Sequence, residues 1–294
     1  MPAKSHSQKN KRKQQQTINK MAKSQMHGHI MDHAKMTFVE LQQFRIPDSV
    51  MHQISAIHNS AIISKLETAI WEWILRYLLS KPRKNKGALS NSEKTNFNAA
   101  LQAAISAGTY STTAAIHAAN HMMHSFMGFK GTLRFLAWHR AYLYEMEQLL
   151  QSYNTGVTIP YWDWANDHTL PSWVILPTGV TRGPDTSYTL PSQSDINNQV
   201  LNQTGYIQFT QNLEGFHNTV HMWVGGNTMP YPSLSPHDPM FWLHHANVDR
   251  IWAQWQSAHP GVNPPLSGTD ATMDPWSLTV TDVIDTFNLW YYYG

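Results

Sequence analysis

Cysteine is absent from the 294 residues. That absence excludes a disulfide framework, a zinc ribbon, an iron–sulfur cluster and a thiol nucleophile. Any metal must therefore be held by histidine or carboxylate. Charge is also scarce: Asp, Glu, Lys and Arg make up 14% of the chain. It is unevenly spread, because Lys4, Lys9, Lys11, Arg12, Lys13, Lys20, Lys23 and Lys35 crowd residues 1–35 against Asp32 alone. The net charge of +2 thus belongs to the tail, and the acidic remainder argues against nucleic acid as a partner. "KSHSQKNKRKQQQ" is followed by no apolar stretch, so no signal peptide is recognised, and the cytoplasm is the expected compartment. Long apolar runs are missing too. Residues 61–79, "AIISKLETAIWEWILRYLL", are apolar at helical spacing but broken by Lys65, Glu67, Glu72 and Arg76, which suits an amphipathic helix and not a membrane span.

What is present is a large apolar content, 41% with twelve tryptophans, enough for a substantial core. Composition divides the chain into a basic, disordered tail (1–35), a helical extension that could serve as a lid (36–80) and a core (81–294). Met26, His27, His29, Met31 and His33 give the tail soft and imidazole donors suited to weak copper binding. In the core, Ser90 or Ser92 caps an Ala-rich helix ending near Gly108. Helical patterns follow at 112–125 and 138–153, and a last one at 238–257. Residues 159–210, rich in Pro, Ser, Thr and Asn, read as loops with short strands. The fold class expected is mainly α: a helix bundle with long loops, few short strands and a site in its core.

Seventeen histidines supply the chemistry. In "HNTVHMW", His217 and His221 are four apart and share a helix face; an exposed pair is the plain alternative. Downstream, "LHHANVDR" adds His244 and His245, which project about 100° apart, so both cannot serve one point. Upstream, His117, His121 and His124 fall within a stripe about 60° wide on an ideal helix, and His139 stands at the start of the next helix. Three histidines from each cluster would hold two metals facing each other, and imidazole suits copper, zinc, iron or nickel.

"FLAWHRAYLYEMEQLL", "PYWDWAND", "LEGFHNTVHMWVGG", "DPMFWLHHANVDRIW" and the closing "LWYYYG" resemble the signature segments of the type 3 copper proteins, the tyrosinases and polyphenol oxidases, over residues 83–294. The resemblance implies two copper ions per chain. It implies His217, His221 and His245 for one ion and His139 for the other, with His244 behind the ligands and Asp249 or a backbone carbonyl orienting an imidazole. Many relatives carry a histidine nine residues before the one in "WHR", where this chain has Lys130. His117 and His124 are taken to complete that site, with His121 as the substitute for His124. The Cys–His thioether of some fungal and plant members is impossible here.

The resemblance further implies a small phenolic substrate and dioxygen as partners. The expected chemistry is ortho-hydroxylation of a monophenol and oxidation of the catechol to an o-quinone. Catechol oxidation or o-aminophenol oxidation alone is an alternative, and a dicopper oxygen carrier a remoter one. Glu214 and Asn218 flank His217 and would polarise a water that takes the phenol proton, although Glu214 stands one residue closer than in "LExxPH" relatives and could instead cap a helix start. Phe216 and Met222 would line the approach of the ring. Trp162 and Trp164 read as core, Asp163 as a structural acceptor. The sequence leaves the oligomeric state open.

Overall fold

The computed structural model describes residues 79–121, 124 and 129–294. The tail, its His/Met segment and nearly all of the 36–80 extension lie outside them. Contacts divide the chain between Leu79 and Ser80, and the second unit is described here. Its frame is five helices: α1 (Asn91–Ser106), α2 (Thr109–Asn120), α3 (Phe129–Tyr153), α4 (Tyr206–Val224) and α5 (Met240–Ala258). Two short strands, β1 (Lys81–Arg83) and β2 (Tyr291–Tyr293), pair in parallel with Lys81 opposite Tyr291. They tie the start of the unit to its end.

Local chemistry explains several boundaries. Ser90, and not Ser92, caps α1 through a capping box with Glu93, satisfying two otherwise bare helix N–H groups. Gly108 turns the chain into α2 with a positive φ of 72°. Gly225, at φ 63°, ends α4, because only glycine takes that conformation without strain. Asp238 accepts from the Met240 N–H at the start of α5.

Three expectations are corrected. Helix α3 begins at Phe129, not near residue 138, so His139 lies in its interior. Leu133, Phe135, Leu136 and Ala137 are all buried, and packing carries the helix through a segment whose polar residues and glycine read as a loop. Helix α4 begins at Tyr206, which places Glu214 in mid-helix and removes it as a cap. Between 159 and 210 the expected strands are replaced by isolated bridges at Tyr161 and Gly183 and by a short helix Gln193–Asp195 continued by a π-helical turn, Ile196–Leu201.

Helix α3 is the spine, packing against α1, α2, α4 and α5. Its own Trp138 and, in the same core, Trp162, Trp164, Trp242, Trp252 and Trp255 are all fully buried. Among the described residues no helix is long and apolar enough to cross a membrane.

Candidate metal centre

Four of the helices deliver histidines to one place. Helix α4 contributes His217 and His221 one turn apart, and α5 contributes His244 and His245. Helix α2 contributes His117, with His121 at its end and His124 just beyond, and α3 contributes His139. In the second cluster the Nε2 atoms of His217, His221 and His245 form a triangle: 2.9 Å from His221 to His217, 3.1 Å from His217 to His245 and 3.2 Å from His221 to His245. An ion held by nitrogen at roughly 2.0–2.1 Å with tetrahedral angles would separate its ligands by about 3.3 Å. In the first cluster the Nε2 atoms of His117 and His139 stand 3.4 Å apart. One ring nitrogen from each of His117, His121 and His124 falls within 4.8 Å of the others. The two clusters touch where His139 stacks on His245, ring centroids 4.3 Å apart and planes 16° apart.

The outer nitrogens fix the protons. His117 Nδ1 donates to Pro232 O at 2.7 Å, His139 Nδ1 to Phe135 O at 2.7 Å and His221 Nδ1 to Met229 O at 2.9 Å. A carbonyl only accepts, so each of these rings carries its hydrogen on Nδ1 and presents a bare lone pair at Nε2. His217 Nδ1 does the same toward Asn218 Oδ1 at 3.1 Å. Lone pairs therefore face each other between His117 and His139 and between His217 and His221. Such contacts repel unless a cation lies between them. Protons are poorly placed to supply it: burial, and then neighbouring imidazoles, push His117, His139, His217 and His245 well below the usual histidine range. Burial likewise lowers His221 to about 4 and His124 to about 3. A metal ion fits these donors.

Aromatic walls hold the rings in place. Trp138 stacks on His124 at 3.7 Å. Phe135 contacts both His139 and His217 at 4.9 Å, while Phe241 stacks on His245 at 4.0 Å and meets His117 edge-on at 5.2 Å. Sequence reasoning missed both phenylalanines. Each stands four residues before a cluster histidine, on the same helix face, and that spacing was the available signal.

Other sequence candidates lie as follows. Glu214 is buried one turn before His217, and Asn218 binds the His217 ring. Phe216 is partly buried against the hydrophobic core, and Met222 is half-buried. His244 is wholly buried, stacked on His217 at 5.0 Å, with neither ring nitrogen hydrogen-bonded. Trp162 and Trp164 are core residues, and Asp163 pairs with Arg250 at 3.1 Å. Asp249 serves arginine and tyrosine side chains and not an imidazole. It accepts from Arg140, Arg83, Tyr291 and Tyr293, and backbone carbonyls take the orienting role.

Comparison with known proteins agrees with this geometry. The common central domain of tyrosinase matches residues 107–187 and 175–258. A tyrosinase of Streptomyces antibioticus is 32% identical over 256 residues, covering 67% of this chain and 93% of its own length. Among solved structures, a functional unit of octopus hemocyanin superposes with a TM-score of 0.58 at 25% identity, over 72% of this chain and 67% of its own. A polyphenol oxidase variant of Thermothelomyces thermophila shares the fold, with a TM-score of 0.55 at 19% identity, over 85% of this chain and 99% of its own.

Proposed function

The chain belongs to the tyrosinase family, whose members bind copper, and on that premise we propose that it is a copper-dependent oxidase. Its reactions are hydroxylation of monophenols to catechols and oxidation of catechols to o-quinones, both with dioxygen. The facing lone pairs of the two clusters carry this reading, because they call for a cation at each. Donors made of imidazole alone, with no carboxylate among them, suit copper better than the ions of two-metal hydrolases. In this reading His117, His124 and His139 hold one ion, and His217, His221 and His245 the other. Bound copper supplies the exchange of electrons with dioxygen.

The chain's own side chains orient and move protons. The carbonyls of Phe135, Met229 and Pro232 hold three ligand rings in the tautomer that points a lone pair inward. Glu214 acts as general base on the phenol hydroxyl through a water. The Oδ1 of Asn218 is engaged by His217, so its amide NH₂ is the group left to hold that water. Phe216 and Met222, half-buried beside the His217–His221 pair, guide the aromatic ring. That same engagement of Asn218 favours a second reading, catechol oxidation without hydroxylation.

The test loads metal-free protein with cupric chloride, measures copper per chain, and follows dioxygen uptake with tyramine, the matching catechol and o-aminophenol. Two coppers per chain and catechol formed from tyramine are expected. Turnover of catechol or o-aminophenol alone selects the narrower oxidase. Two coppers with no turnover leaves the oxygen-carrier alternative, and failure to bind copper overturns the metal assignment.

A further inference from the structure

The first cluster holds one imidazole more than a three-ligand site requires, and the extra one differs from the rest in exposure. His117, His124 and His139 are only 5%, 0% and 4% exposed, whereas His121 is half-buried. His121 sits at the end of α2, one turn beyond His117. Its ring centroid lies 5.7 Å from that of His117 and 5.7 Å from that of His124. A nitrogen of His121 lies within 4.8 Å of a nitrogen of each, and its Nδ1 is buried without a hydrogen-bond partner. The ring thus reaches from the half-exposed helix end to the buried nitrogens.

We propose that His121 is a transit ligand, which captures an incoming cupric ion and passes it inward to His117, His124 and His139. This rests on the copper reading above. A buried three-histidine site presents little surface to a hydrated ion, whose water must be stripped as ligands replace it. A partly exposed imidazole within reach of two resident ligands allows that exchange one ligand at a time. No electron changes hands in the transfer. His121 gives up the ion as a buried imidazole takes it, and its lone pair returns to solvent. The second cluster has no such arrangement among the described residues, because His217, His221, His244 and His245 are all buried.

The experiment follows copper uptake by the full metal-free chain from cupric chloride buffered with a competing chelator. It reads rate and final stoichiometry in the wild type, in His121→Gly and in His124→Asn. For His121→Gly the expected result is uptake about tenfold slower with the same final two coppers per chain, and recovery of the rate when free imidazole fills the vacated space. His124→Asn is expected to hold a single copper. Unchanged uptake in His121→Gly overturns the transit role. So does a fall of that variant to one copper, which would make His121 a resident ligand. Absence of copper from the wild type would instead sink the underlying copper reading, so the two failures are distinguishable. Far-ultraviolet circular dichroism of each metal-free variant shows whether it has folded; an unfolded His121→Gly is replaced by His121→Gln, read for the same rate.

Discussion

At the scale of single residues, the acid that sequence reasoning set beside the metal does something else. Asp249 is 3% exposed and joins Arg140, at 2.5 Å, to Arg83, Tyr291 and Tyr293. It thereby links α5 to α3 and to both strands. Two arginines lose their shared counter-charge if it is neutralised, and breaking a buried pair costs about 3–5 kcal/mol. Asp249→Asn should therefore lower the unfolding free energy, read from urea denaturation, by that much while leaving the clustered histidines in place; a change under about 1 kcal/mol would mean the network is not needed. Glu214→Gln tests the general base. Tyramine hydroxylation should fall at least about 10²-fold, with catechol oxidation and copper content little changed, and an equal loss of both reactions would reject the role. Glu145 gives a pH prediction away from the metal. Burial raises its carboxyl to about 7 from 4.5, so the folded chain favours the protonated form. Its stability contribution is complete below pH 4.5 and is lost as pH rises to 7. Glu145→Gln should then stabilise by on the order of 2–3 kcal/mol at pH 8 and by nothing at pH 4, as read from urea unfolding at the two pH values.

Elements carry the site in ways a residue count does not convey. The i, i+4 spacing of His217 and His221 was legible because it depends only on helix geometry. The start of α3 was not, because Gly131 and the polar residues before Leu133 obscure a helix that is held by its packing. Also hidden was residues 225–239, which leave α4 and enter α5. Within this stretch Met229 O holds His221 and Pro232 O holds His117, so one loop orients a histidine of each cluster. Backbone carbonyls have no sequence signature, and nothing in "GGNTMPYPSLSP" announces them. The glycines that open the loop do have a physical signature. Gly225 and Gly226 have φ of 63° and 76°, and a Cβ on Gly226 would lie 1.9 Å from Thr181 O. Gly226→Ala must strain the backbone or push that chain away, costing roughly 2–5 kcal/mol. It should also weaken copper binding at both clusters, since both lean on the loop. Gly215→Ala, inside α4 with open space around its Cβ, should instead be neutral or stabilising by up to about 1 kcal/mol. Equal behaviour of the two variants in thermal unfolding and chelator competition would show that the loop geometry does not matter.

For the whole molecule, the helical class and the clustering of histidines were readable, because periodicity and composition act locally. That the clusters face each other was expected from the histidine pattern, but the packing that brings this about, α3 at once against α2, α4 and α5, was not legible. That meeting has an energetic consequence. A core that brings bare imidazole lone pairs within 2.9–3.4 Å of one another is assembled against repulsion, and the tryptophans and phenylalanines around it must offset this in the metal-free state. An ion that binds only the folded chain reverses the sign locally, and by linkage it adds about 2.7 kcal/mol for each site at a free concentration one hundred times its Kd. The melting temperature should therefore climb with free copper, with no change in the urea slope, since the surface exposed on unfolding is the same. Zinc shares the preference for imidazole and should also stabilise, yet give no phenol turnover, which separates the structural effect of a cation from redox chemistry. A melting temperature indifferent to both metals would mean that the clusters are a polar core which tolerates its own repulsion. The assignment of six ligands would then fail together with the function built on it.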